Sequence, residues 1–124
     1  MTVSAKSRYA LEIMTDLAER RGKSVSVGAI ASRRGISAKY TEQIMAMLKR
    51  AGYVRSERGK SGGYKLVSSP DMYRISDILR LTEGMAFDCG GIRPVNGMWS
   101  KVEKAVTEVL DGYTVADLMS EVTE

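Results

Sequence analysis

The stretch SVSVGAIASRRGISAKYTEQIMAMLKRAGYVRSERGKSGGYKLV, residues 24–67, limits the fold more tightly than any other part of the chain. A short helix can start after Ser26 and bury Val27, Ile30 and Ala31. Gly35 then supplies a tight turn, Ile36 plugs the corner, and Ser37 can cap a second helix running from about Ala38 to Arg50. In that helix Ile44, Met47 and Leu48 face inward, with Gly52 beyond its end. Two short helices joined at a glycine form the helix-turn-helix pattern, although fold-neutral helical hairpins share the spacing. The second helix leaves Lys39, Glu42 and Gln43 exposed in its first half, the part that enters a DNA major groove.

The next segment narrows the choice. YVRSERGKSGGYKLV alternates around Val54 and Ser56, breaks from Gly59 to Gly63, and resumes with Tyr64, Leu66 and Val67, a β-hairpin with a basic, glycine-rich tip. Helix, helix, hairpin in that order predicts a mainly α fold with a small β-hairpin, a winged helix-turn-helix. Glycines at the tip let backbone amides approach phosphates, while Arg58 and Lys60 supply charge. A nucleotide phosphate loop is excluded, because it requires G-x-x-x-x-G-K-[ST] between a strand and a helix.

Charge agrees with this order. Residues 1–67 carry 14 Lys and Arg against 5 Asp and Glu, a net +9, whereas residues 68–124 carry 5 against 10, a net −5. A basic half joined to an acidic half suggests a polyanion-binding unit joined to one that avoids the polyanion. The chain has no histidine and one cysteine, which removes the commonest general base and metal ligand and leaves no paired nucleophile. A single cysteine, no apolar run of membrane-span length and no signal-peptide core in MTVSAKSRYA fit a cytoplasmic protein with no membrane partner.

The flanks complete the layout. Ala5 to Arg20 reads as an amphipathic helix through Tyr9, Ala10, Ile13, Met14, Leu17 and Ala18, with Gly22 as its stop. After the Ser69-Pro70 turn, Ile75, Ile78, Leu79 and Thr82 mark a short helix stopped by Gly84. A last long helix places Trp99, Val102, Val106 and Val109 on an a/d seam before Gly112, predicting a dimerisation helix; packing on its own domain is the other reading. Thr114 with Asp117 resembles a capping box opening one more helical turn. The expected division is a winged domain over 1–84, a loop over 85–97, and a dimerisation helix with a C-terminal tail over 98–124.

Three motifs in order carry a family resemblance: K-x-R-Y-A-L at Lys6 to Leu11, I-S-x-x-Y-x-E-Q-I from Ile36 to Ile44, and R-G-x-x-G-G-Y from Arg58 to Tyr64. With these the chain resembles the Rrf2 family of bacterial transcription regulators, which includes the IscR, NsrR and CymR groups, and the resemblance continues through ISDILRLTEG to the long helix. It implies a winged-helix homodimer on a palindromic DNA operator, usually as a repressor. Position by position it implies that Lys39, Glu42 and Gln43 face base edges, with Ser37 and Tyr40 near the backbone, and that Arg58, Gly59 and Lys60 enter the neighbouring minor groove. The chemistry agrees: Gln43 can bond adenine bidentately, Glu42 can accept from cytosine, Arg58 suits a narrow A·T groove, and Lys6 adds a phosphate contact.

The departure from the family lies in AFDCGGIRPVNGMW, residues 86–99. The IscR and NsrR groups carry three cysteines in this loop and hold an iron–sulfur cluster there, whereas this chain keeps only Cys89, with Glu83 and Asp88 as reserve carboxylates. A cluster generally takes four thiolate or imidazole ligands, so no cofactor is expected. Cys89 stands as a structural remnant or as a candidate sensor thiol, oxidised, alkylated or bridging subunits; Asp88 beside it does not favour the thiolate. Cluster-free relatives resembling the CymR group are controlled by a regulatory protein partner. An alternative function is a winged-helix module controlled by a partner protein and not by DNA binding; the net +9 of the first half argues against it, although an acidic partner would also meet that charge.

Overall fold

The computed structural model describes residues 3–60, 62–83 and 97–122, with the side chains of Trp99 and of residues 120–122 set apart. Serines start its first three helices. Ser4, Ser26 and Ser37 sit in extended backbone, and each hydroxyl oxygen accepts the N–H three residues on at 3.1 Å. They open α1 (Ala5–Glu19), α2 (Val27–Arg34) and α3 (Ala38–Arg50), satisfying one amide that a helix start otherwise leaves without a partner. Gly35 ends α2 at φ +66°, a left-handed conformation that suits glycine, and the buried Ile36 then fills the corner beneath the turn.

Strands β1 (Val54–Glu57) and β2 (Gly63–Leu66) pair antiparallel, with Val54 opposite Leu66 and Glu57 opposite Gly63. Val25 adds an isolated bridge on the outer side of β2, exchanging both backbone bonds with Tyr64 at 2.9 and 2.8 Å. The wing is therefore stitched to the residue just before the Ser26 cap of α2. A Cβ at Gly63 would fall on the Val25 carbonyl, so only glycine permits this approach.

A 3-10 turn (Pro70–Met72) leads to α4 (Ile75–Glu83), and the chain is described again in α5 (Met98–Asp111) and α6 (Val115–Val122). The C-terminal region is not one continuous arm. Helix α5 ends at Gly112, the amide of Thr114 donates to Asp117 Oδ2 at 2.8 Å, and α6 turns back to pack on α1. A short bridge between Arg74 and Thr114 clips this corner to the start of α4, and Val115 is fully buried. What reads in sequence as one more helical turn is an eight-residue helix that closes the core.

Helix α1 is the hub, contacting α2, α3, α4, α6 and β2. Its Ala10, Ile13, Met14 and Leu17 meet Ile30 of α2, Ile44 and Leu48 of α3, Val54, Leu66, Ile78 and Val115 in one cluster. Two sequence expectations shift by part of a turn. Met45, and not Met47, takes the fully buried place on α3, and Val27 is only half-buried.

On the α2 side of α1 lies Asp16, with no exposed surface. Arg33 grips it bidentately, Nη2 to Oδ1 at 2.7 Å and Nε to Oδ2 at 3.1 Å. Arg34 Nε donates to Oδ2 at 3.1 Å, and Arg20 Nη1 lies 3.3 Å from Oδ1. Burial pushes the Asp16 carboxyl up, but the Arg33 hydrogen bond and the charges of Arg20, Arg33 and Arg34 outweigh it and hold it below its ordinary value. The same contact raises Arg33.

Val115→Ala should lower the urea midpoint by the equivalent of about 2 kcal/mol with the slope unchanged, and Val67→Ala, at 51% exposed, should move it far less. Asp16→Asn should cost about 2 kcal/mol, less than for a fully dry pair because the arginines are partly exposed. Since the folded Asp16 pKa is depressed, its contribution is complete above about pH 4 and fades as pH falls from there through the folded value; in Asp16→Asn that part of the acid dependence should vanish from denaturation curves.

Candidate nucleic-acid interface

Helix α3 presents Lys39, Glu42 and Gln43 to solvent, all without ion pairs among the described residues, while Thr41, Ile44 and Met45 between and beyond them are buried. The helix period puts the first set on one face and the second on the opposite one. Ser37 is exposed, but its oxygen is already engaged as the α3 cap. Tyr40 is half-buried, its ring edge-on to Tyr9 of α1 with centroids 5.7 Å apart, and the Arg8 guanidinium lies 5.0 Å from the Tyr9 centroid. This stack ties the first turn of α3 to α1 and brings a further cation beside the helix start. Lys6 is exposed in the first turn of α1.

The wing tip carries Arg58, Gly59 and Lys60, all exposed. Gly59 adopts φ +109°, and its carbonyl accepts the Gly62 amide at 3.0 Å, closing the turn. A side chain at Gly62 would strike the Glu57 and Gly59 carbonyls, whereas Gly59 faces open space. The shaft is braced by Lys65 to Glu57 at 3.1 Å, by the Ser24 hydroxyl donating to Glu57, and by Lys49 Nζ of α3 donating to Ser56 Oγ at 3.1 Å. The bonds from Ser24 and Lys65 hold the Glu57 carboxyl below its usual range. The Lys49 bond thus joins α3 and the wing directly.

Sequence reading missed the basic residues behind this face, Arg20, Lys23, Arg33 and Arg34. The one signal was an aspartate inside the apolar run IMTDLA of α1, which needs cationic partners once buried. On α5, Val102 and Val106 are half-buried, and Val106 packs on the core; Val109 is exposed beside Ala105, Val106 and Leu110 in a shallow apolar hollow. The seam is therefore divided between the chain's own core and solvent. The Trp99 side chain and Cys89 lie outside the described residues.

Among the described residues no group of three or more Cys, Asp, Glu or His could hold a metal ion. Glu83, a reserve ligand by sequence, is committed elsewhere: its Oε1 accepts the Ser4 amide at 2.8 Å and the Ser7 hydroxyl at 2.5 Å, contacts that hold its carboxyl below the usual range. One cysteine and no histidine per chain leave two thiolates in a dimer, which do not fit an iron–sulfur cluster needing four soft or imidazole ligands.

Comparison with known proteins gives the same outline. Residues 3–121 match the Rrf2 family, described as iron-dependent transcriptional regulators. The HTH-type transcriptional regulator CymR of Bacillus subtilis is 39% identical over 97% of this chain and 91% of its own length. The HTH-type transcriptional regulator IscR of Vibrio vulnificus is 33% identical over 98% and 79%. The solved structure of CymR, the global cysteine regulator of B. subtilis, superposes with a TM-score of 0.85 at 38% identity, covering 98% of both chains; that of T. potens IscR gives 0.85 at 40%, covering 98% and 88%. The chain accordingly belongs to the Rrf2 family and is a DNA-binding transcriptional regulator built on a winged helix-turn-helix.

Proposed function

We propose that the protein is a repressor that binds a palindromic operator as a homodimer in the cytoplasm, acting by occupancy and without catalysis or an iron–sulfur cofactor. The observation that carries this reading is the exposed row Lys39, Glu42 and Gln43 on a capped helix whose opposite face is core, cross-linked to a basic wing. Gln43 reads adenine, Glu42 accepts from a cytosine amino group, and Lys39 serves a guanine edge or a phosphate. Arg58 and Lys60 enter the adjacent minor groove around Gly59, with Lys6, Ser37 and Tyr40 against the sugar–phosphate strand. Tyr40 supports the reading by its hydroxyl end alone, since its ring packs on Tyr9. Residues 98–111 supply the dimer surface through Val109 and the hollow beside it, a second copy covering what the monomer leaves exposed. Trp99 and Val102 extend that seam, residues 85–97 form the sensor loop, and Cys89 is its candidate thiol.

The reading is tested by capturing genomic fragments on the purified protein and measuring affinity for the captured duplexes. Affinity should fall steeply and linearly on a log–log plot against salt, and the captured sites should contain two half-sites about ten base pairs, or a multiple, apart. Gln43→Ala should relax preference at particular bases, costing about 1–3 kcal/mol on the best site, whereas Lys60→Ala should weaken all sequences alike. Binding that ignores both salt and sequence would refute the proposal. Val109→Glu should shift the protein from dimer to monomer in sedimentation, because it places a charge on the apolar seam.

A further inference from the structure

Four cations converge on one cleft that lies apart from the base-reading row. Arg20 and Lys23 just past the end of α1, Arg33 of α2 and Lys60 of the wing tip line a hollow of about 360 Å³, which Ser26 also lines, and no carboxylate lines it. Asp16 aims Arg20 and Arg33 from behind. Lys23 and Lys60 have no ion-pair partner among the described residues, so their charge is uncompensated. The Ser26 oxygen accepts the Ala29 amide, which leaves its proton to donate to an anion. The bridge between Val25 and Tyr64 holds wing and α2 at fixed separation across this gap.

We propose that this cleft is a backbone clamp: it seats one phosphodiester group of the operator strand that separates the groove read by α3 from the groove entered by the wing. The proposal rests on the operator-binding reading and extends it to Lys23, Arg20 and Arg33. A duplex places one sugar–phosphate strand between a major groove and the adjacent minor groove. A protein with one element in each must straddle that strand, and the first helix of a helix-turn-helix crosses it. The cleft lies between that first helix and the wing tip, with the charge and the hydroxyl that a phosphate requires. Seating there fixes register and angle, so it adds affinity without adding sequence preference.

Lys23→Gln is the informative variant, since Lys23 is exposed and outside the Asp16 cluster. Affinities are measured for a captured genomic duplex and for a scrambled duplex over a salt series, with Lys23→Arg as the conservative control and thermal melting to check the fold. The clamp predicts that Lys23→Gln weakens both duplexes by about the same factor, roughly three- to tenfold at low salt for each of the two protomers, and lowers the log–log slope of the dimer by about 1.8, about 0.9 per protomer. Lys23→Arg should restore both. Duplexes with a single neutral methylphosphonate, moved along the backbone, should reveal one position in each half-site that weakens the wild type more than it weakens Lys23→Gln. Equal affinity and slope in Lys23→Gln, or no such position, overturns the clamp while the wild type still binds its operator. A wild type that binds neither duplex in a salt-dependent way overturns the operator reading itself.

Discussion

The Asp16 carboxylate, out of solvent and held by Arg33 and Arg34 of α2 and Arg20 just past the end of α1, sets where the DNA-facing elements sit. Helix α2 is eight residues long and fully buries only Ile30 and Ala31, too little helix to hold its place unaided. A bidentate guanidinium contact fixes angle as well as distance, which an apolar patch of the same area would not. Helix α3 continues from α2 through Gly35 and the buried Ile36, so the direction of Lys39, Glu42 and Gln43 is inherited from the grip on α2. The same aspartate offsets part of the positive charge behind the interface and leaves Lys23 and Lys60 uncompensated, concentrating the field where a strand can reach it.

The wing glycines divide into two kinds. Gly62 and Gly63 are required by backbone packing, one against the Glu57 and Gly59 carbonyls, the other against Val25. An added Cβ at Gly59 meets nothing within 4 Å, and glycine is called for there by its own left-handed φ of +109°. The motif R-G-x-x-G-G-Y thus combines one glycine that turns the tip with two that hold the wing against α2 and its own turn.

Local chemistry was legible in the sequence, and long-range pairing was not. Serine caps, the Gly35 turn, the hairpin and the exposed row on α3 all arise from residues within one or two turns of each other. The Asp16 cluster joins residues 17 and 18 apart, and neither arginine advertises its partner, since basic residues ending α2 also suit the helix dipole. Val25 alternates with serines over too few residues to announce a strand. The α5 seam has the same a/d pattern whether it packs on the chain's own core, as Val106 does, or faces outward, as Val109 does. Where α6 turns back, its buried Val115 carries no period of its own that separates docking from continuation.

Helix α1 is held by carboxylates at both ends, and this narrows how the chain differs from cluster-binding relatives. At its start Glu83, the last residue of α4, accepts the Ser4 amide and the Ser7 hydroxyl, and Ser7, itself fully buried, also shares a 2.5 Å bond with Thr82. Ser76 and Arg80 of α4 in turn reach Asp111 of α5, the arginine at 3.8 Å and the hydroxyl by a direct bond. Glu83 is thereby consumed in joining α4 to the end of α1 that bears Lys6, and turning it toward a metal would leave the Ser4 amide and the Ser7 hydroxyl without their acceptor. The Glu83 carboxylate at the end of α4 is structural, the thiolates are too few, and no imidazole exists to replace them.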